Sequence, residues 1–211
     1  MIPTKAEWLK ALTQRHGEEL QKRFSEATVA ICGLGGLGSN IAIALARAGV
    51  GKLILIDFDC VDITNLHRQQ YKADQIGLYK AEALRANLFE IAPYTKVTAL
   101  ISKVTEDNAA RLLDGADVVC EAFDDAEAKA MLTDAVLEKL PDCLLVAASG
   151  MAGMGTPNSI STRRITARFY LCGDGSSDVH DTIGLVAPRV MLCAAHQAHT
   201  VLRILAGEFE V

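Results

Sequence analysis

Short apolar runs recur along the chain at 29–32, 53–57, 97–101, 117–120 and 143–148. Between them, near 39–48, 80–91, 107–113 and 125–139, apolar positions follow helical spacing. Strand-length runs alternating with amphipathic helices build βαβ units, because parallel strands need a helical crossover between them. The pattern predicts an α/β fold, a Rossmann-like, mainly parallel sheet with helices on both faces. Ahead of the first strand, Trp8, Leu9, Leu12 and Leu20 predict one amphipathic helix over 6–24. Beyond Ser149 the chain is punctuated by Gly150, Gly153, Gly155 and Pro157. The alternation over 163–171 then predicts a single strand at the far edge of the sheet. The polar stretch 172–181 (CGDGSSDVHD) reads as a surface loop, and a final helix covers 186–207.

The junction after the first run carries the most chemistry. Gly33, Gly35, Gly36 and Gly38, with Leu37 among them, stand between a strand and a helix. Bare backbone there admits a phosphate group, and the first N–H groups of the helix are unpaired donors at the positive end of its dipole. The spacing of Gly33, Gly35 and Gly38 also meets the dinucleotide fingerprint, with Asp57 about 20 residues on where a ribose-binding acid belongs. The loop alone does not separate NAD from ATP. Downstream stand Asp57, Asp59, Asn65, Arg68, Gln69, Lys80 and Asp124, a polar and cationic series that adenylation needs and hydride transfer does not.

With GLGGLGS at 33–39, DFD at 57–59, NLHRQ at 65–69, Lys80 opening a helix and AFDDAEAK at 122–129, the chain resembles the ThiF/MoeB family over roughly residues 28–207. Members adenylate the C-terminal glycine of a small ubiquitin-fold carrier protein. The resemblance implies that Asp57 meets the ribose, that Gly33, Gly35, Gly36, Leu37 and Gly38 cradle the nucleotide, and that Asp59, Asn65 and Gln69 help orient it. It further implies that Arg68 and Lys80 hold the triphosphate and that Asp124 is the magnesium-associated acid. ATP and Mg2+ are the implied cofactors, and a homodimer the implied assembly. In related dimers a partner arginine reaches the γ-phosphate, and Arg15 is the nearest equivalent by position.

Composition narrows the partners. A formal charge of −5 with mixed signs disfavours a nucleic-acid surface, which clusters Lys and Arg against phosphates. No apolar run is long enough to span a bilayer, and Lys5, Glu7, Lys10 and Arg15 interrupt any secretory signal, so a cytoplasmic location is expected. The six cysteines include no CxxC pair, so no zinc is predicted. Cys32, Cys120 and Cys143 sit in or beside apolar runs, whereas Cys172 stands in the polar loop and is the candidate for a thioester or persulfide step. Cys193, His196 and His199 share one helix, but three ligands on one helix cannot easily close around an ion, and helix packing is the preferred reading.

Together these readings give one adenylation domain: an N-terminal helical segment at 1–27, a nucleotide-binding core at 28–149, and a strand, substrate loop and helix at 150–211. The expected activity is ATP-dependent adenylation of a ThiS-like sulfur carrier ending in Gly-Gly, for thiamine biosynthesis. The same chemistry on a molybdopterin carrier or on tRNA threonylcarbamoyladenosine, an NAD-dependent oxidoreductase, and a binding-only nucleotide module are the alternatives.

Overall fold

The computed structural model describes residues 2–180 and 183–211. Seven strands form one sheet: β1 (Thr28–Cys32), β2 (Lys52–Ile56), β3 (Lys96–Leu100), β4 (Val118–Glu121), β5 (Leu144–Ala148), β6 (Ser161–Arg164) and β7 (Phe169–Gly173). Their order is β3-β2-β1-β4-β5-β7-β6, parallel except for the antiparallel β6–β7 pair at the edge. The five apolar runs are thus β1 to β5, a contiguous parallel block reaching from the β3 edge to β5, displaced by a residue or so at their ends.

Alternation along the strands sorts the core into two layers. Val29 and Ile31, Leu53 and Leu55, Val118 and Cys120 face one side, with α3 (Gly36–Ala48), α4 (Lys80–Ile91) and α7 (Ala187–Ala206) packed over them. Ala30 and Cys32, Ile54 and Ile56, and Val119 face the other, under α5 (Ala109–Leu112) and α6 (Ala126–Lys139). Strands buried on both faces have no polar side to show, which is why they read as unbroken apolar runs. Each buried Val, Leu or Ile contributes roughly 1.5–3 kcal/mol relative to exposure.

Three sequence expectations change. The N-terminal helix is two, α1 (Lys5–His16) and α2 (Glu18–Glu26), because Gly17 takes a φ of 85° that ends the first and starts the second. The single strand over 163–171 is a hairpin, with Arg164 paired to Tyr170 and the chain turning between them. The loop reading at 172–181 begins too early, since Cys172 and Gly173 complete β7; Asp181 lies outside the described residues. Among the described residues, no helix is long and apolar enough to cross a membrane.

Two glycines fix how α3 leaves β1. Gly33 has a φ of 87°, and a Cβ there would stand 2.7 Å from the Ala122 carbonyl oxygen. Gly38, in the first turn of α3, is pressed against the Gly33 carbonyl so closely that a Cβ would collide with it. Alanine in a helix usually stabilises by about 0.5–1 kcal/mol over glycine. Gly38→Ala is expected to reverse that sign and cost about 2–4 kcal/mol in urea unfolding, because the obstacle is backbone.

Candidate functional site

A cavity of about 540 Å³ opens where the carboxyl ends of β1, β2, β4 and β5 meet the loops that follow them. From β1 the chain proceeds outward to β2 and β3, and from β4 outward to β5, so β1 and β4 flank the point where strand order reverses. Adjacent crossovers lie on opposite faces there and leave a crevice between them, the usual ligand position in such sheets. Gly33, Gly35, Gly36, Leu37, Asp57, Asp59, Asn65, Arg68, Gln69, Lys80 and Asp124 all line it. Gly38 lies behind, where it sets the turn.

Most of these groups are already held by the protein. Asp57 is buried at the end of β2, where one carboxylate oxygen accepts the Leu34 N–H (2.6 Å) and the other the Asp59 N–H (2.8 Å). Burial pushes its carboxyl above the ordinary aspartate range, while these N–H groups and the Lys80 ammonium pull it back. Lys80 opens α4 with its side chain 8% exposed, and its Nζ donates to Asp59 at 2.8 Å. Burying an ammonium is costly unless it is paired and hydrogen-bonded, and Asp59 supplies both.

Arg68 donates to Asn65 Oδ1 at 2.9 Å; partial burial pulls its guanidinium below the ordinary arginine range, and the charge of Asp124 opposes that pull. The two therefore face one another electrostatically across strand ends that are distant in sequence. Arg68 Nε and Gln69 Oε1 are buried and, among the described residues, without a hydrogen-bond partner. Asp125, not Asp124, caps α6, accepting the Ala128 N–H at 2.8 Å. That division frees the Asp124 carboxylate for the cavity.

Two expected residues are elsewhere. Cys172 is fully buried within β7 between Thr162 and Thr200, and burial lifts its thiol above the usual range, so the reading of an exposed nucleophile is corrected. Cys60 is the exposed cysteine among the described residues. Arg15 is exposed near the end of α1, whose neighbours Trp8 and Leu12 reach Tyr94 and Gly49. Those contacts lie toward the amino ends of the strands, away from the cavity. Cys193, His196 and His199 also separate: Cys193 is in the core, His196 meets Thr162 Oγ1 at 3.0 Å, and His199 is exposed.

Sequence reasoning missed an ion pair beneath the site, between a buried acid and a partly buried lysine. Glu121 is 1% exposed, and its carboxylate receives Lys129 Nζ at 2.9 and 3.0 Å. The same ammonium donates to the Ala148 carbonyl, so it ties β4 to β5 at the cavity floor. Lys129 belongs to the quoted AFDDAEAK motif; the available signal was the acid Glu121 closing an otherwise apolar run.

The model of the ThiF family matches residues 9–211. The chain is 36% identical over 148 residues to the tRNA threonylcarbamoyladenosine dehydratase of Escherichia coli, covering 69% of this chain and 54% of that protein. It is 32% identical over 198 residues to the sulfur carrier protein ThiS adenylyltransferase of Bacillus subtilis, covering 91% of this chain and 58% of that one. The chain thus spans little more than half the length of these relatives. In fold it is similar to the crystal structure of the E. coli dehydratase TcdA in complex with ATP, with a TM-score of 0.86, 24% identity, and 99% and 98% of the two chains covered.

Burial pushes the Glu121 carboxyl above the ordinary range, against the pull of Lys129 and of the Phe123 and Ala148 N–H groups. A carboxyl raised on folding weakens the fold as pH climbs from its unfolded value, about 4.3, through its folded one. Lys129→Met is expected to cost about 3–5 kcal/mol near neutrality, by leaving a buried charge unpaired. The loss shrinks in acid, once the pH falls below the raised value at which Glu121 takes up its proton; denaturant unfolding at neutral and acid pH measures the difference.

Proposed function

The chain belongs to the ThiF family, and on that footing we propose that it is an ATP-dependent adenylyltransferase whose substrate carboxylate is the C-terminal glycine of a ThiS-like ubiquitin-fold carrier. The observation that carries adenylation is the convergence, at one reversal of strand order, of a glycine cradle, two cations and an acid that caps no helix. The preference for a carrier rests on the similarity to the ThiS adenylyltransferase along 91% of the chain and on the net negative charge. Thiamine biosynthesis is the corresponding pathway.

In this reading ATP lies with its ribose at Asp57 and its phosphates toward Gly33–Leu37, Arg68 and Lys80. A carboxylate oxygen of the carrier glycine attacks the α-phosphorus. The bond to the α–β bridging oxygen breaks, leaving carrier–AMP and pyrophosphate. Arg68 and Lys80 stabilise the charge that gathers on the phosphoryl oxygens and the leaving group. They are fixed beforehand by Asn65 and Asp59, so little reorganisation accompanies the reaction.

Asp124 would hold a magnesium ion, which supplies neutralisation of the phosphate charge. Among the described residues no cluster of three or more His, Cys, Asp or Glu could hold a metal on its own. Magnesium fits that economy, because it takes one or two carboxylates and fills its remaining positions with phosphate oxygens and water.

A second reading keeps the chemistry and changes the carboxylate to the threonylcarbamoyl group on tRNA adenosine. It is favoured by the 36% identity to the E. coli dehydratase and by whole-chain structural similarity to TcdA. One assay separates the two: magnesium-dependent ATP–pyrophosphate exchange with a carrier ending in Gly-Gly, the same carrier lacking its last glycine, or threonylcarbamoyl-modified tRNA. Exchange is expected only with the intact tail, and Asp124→Asn is expected to lower it about 10²–10³-fold. Exchange driven by tRNA alone overturns the carrier reading.

Homodimerisation belongs to the same reading, since Arg15 reaches a nucleotide only from a partner copy. Light scattering is expected to give twice the chain mass; a monomer at assay concentration removes the role of Arg15.

A further inference from the structure

The cavity wall beyond β5 is made of loop. Ser149, Gly150, Met151 and Ala152 line it, joined by Ser177 and Val179 from the chain after β7. The end of β5 lies two strand positions from the glycine loop, about 10 Å away. The nucleotide's ribose acid is on the opposite side, at β2. On the adenylation reading, the β5 wall is therefore the side of the cavity left to a second substrate.

This wall is held from behind by one side chain. Arg189, in the first turn of α7, is 6% exposed and does not itself line the cavity. All five of its N–H groups are used. Nε donates to the Ala152 carbonyl (3.2 Å), Nη1 to those of Gly155 (2.9 Å) and Thr156 (3.1 Å), and Nη2 to Ser159 Oγ (3.1 Å) and Asp174 Oδ2 (2.5 Å).

Asp174, 7% exposed, completes the circuit. Its other oxygen accepts the Ser176 and Ser177 N–H groups at 2.9 and 2.8 Å, and Ser177 Oγ accepts the Ala152 N–H at 3.0 Å. The Asp174 N–H returns to the Gly150 carbonyl at 2.9 Å, and a Cβ at Gly150 would collide with the Asp174 carboxylate. Burial would raise this carboxyl, but the Ser177 and Ser176 donors and Arg189 hold it well below the usual carboxylate range. A planar guanidinium fits this arrangement as an ammonium does not, because its donors are fixed in one plane at fixed angles.

From this geometry we infer that the buried Arg189–Asp174 pair positions the wall that receives the acyl substrate, and so governs recognition of the carboxylate-bearing tail without taking part in ATP binding. The inference rests on the adenylation reading above. Arg189 and Asp174 are positioning residues: they act through Gly150, Ala152 and Ser177.

The test uses the full chain, ATP–Mg2+ and a purified ThiS-type carrier ending in Gly-Gly. Arg189→Ala and Asp174→Asn are each expected to raise KM for the carrier tenfold or more in pyrophosphate exchange, while the Kd for ATP stays within twofold. Millimolar guanidinium is expected to recover KM in Arg189→Ala, whereas Arg189→Lys recovers little. Should Arg189→Ala fail to fold, Asp174→Asn, which keeps side-chain size, decides alone. Unchanged KM, or KM and ATP Kd worsening together, overturns this assignment while wild-type exchange leaves adenylation standing. Absence of tail-dependent exchange in the wild type overturns the proposed substrate and this assignment with it.

Discussion

The first turn of α3 rests on the carbonyl of Gly33 at a distance that excludes any side chain at Gly38. That contact brings the helix's unpaired N–H groups to the end of β1, beside the reversal of strand order. It also fixes the helix's course over the sheet, so that Ile41, Ala42 and Leu45 share one core with Val190, Cys193 and Val201 of α7. Gly36 closes the arrangement: a Cβ there would stand 2.9 Å from Val190 and 3.5 Å from Arg68. The position of the cation therefore depends on the same close packing that seats the helix. Phosphate chemistry and core packing are one constraint at this corner.

The parallel architecture was legible because β1, β2, β4 and β5 are buried on both faces, whereas the edge strand β3 is partly exposed, and unbroken apolar runs such as those closing on Gly33 and Asp57 are hard to mistake. The site was legible for a related reason. Asp57, Lys80 and Asp124 stand at the ends of elements, where a charged residue has no packing role to explain it. The far end of the chain was less readable. The turn between Arg164 and Phe169 contains no glycine, proline, asparagine or aspartate, so alternation ran through it as though the strand were continuous. Cys172 looked exposed because its neighbours are polar, yet pairing with Ala148 and Thr162 carries it into the sheet. Arg189 and Asp174 carry no local signal, since what joins them is a fold of loops 15 residues apart in sequence.

Charge around the cavity is arranged in pairs, each joining a different couple of segments. Lys80 with Asp59 secures the start of α4 to the β2 loop. Lys129 with Glu121 ties the start of α6 to the ends of β4 and β5, and Arg189 with Asp174 fastens α7 to the loop after β7. Each pair has at least one buried member, and both members of Arg189–Asp174 are buried. Such pairs add little net stability over apolar packing, but leaving a buried charge alone is costly, so they select geometry more than they add strength. Under the adenylation proposed above, a site gathering a polyanion, a cation and a carboxylate tail needs that selection, since misplaced charge would compete for each.

Asp57 spends both carboxylate oxygens on backbone, one on Leu34 within the glycine loop and one on Asp59. Each oxygen retains lone-pair capacity toward the cavity, so a ribose can be met without giving up either bond. The loop is consequently held in one conformation by the protein itself. The ordering entropy that a floppy glycine segment would forfeit on association, of order 1–2 kcal/mol per residue fixed, has been spent in folding instead. A ligand bound there would meet a loop whose ordering cost is already met, which strengthens association relative to a loop that must close around it.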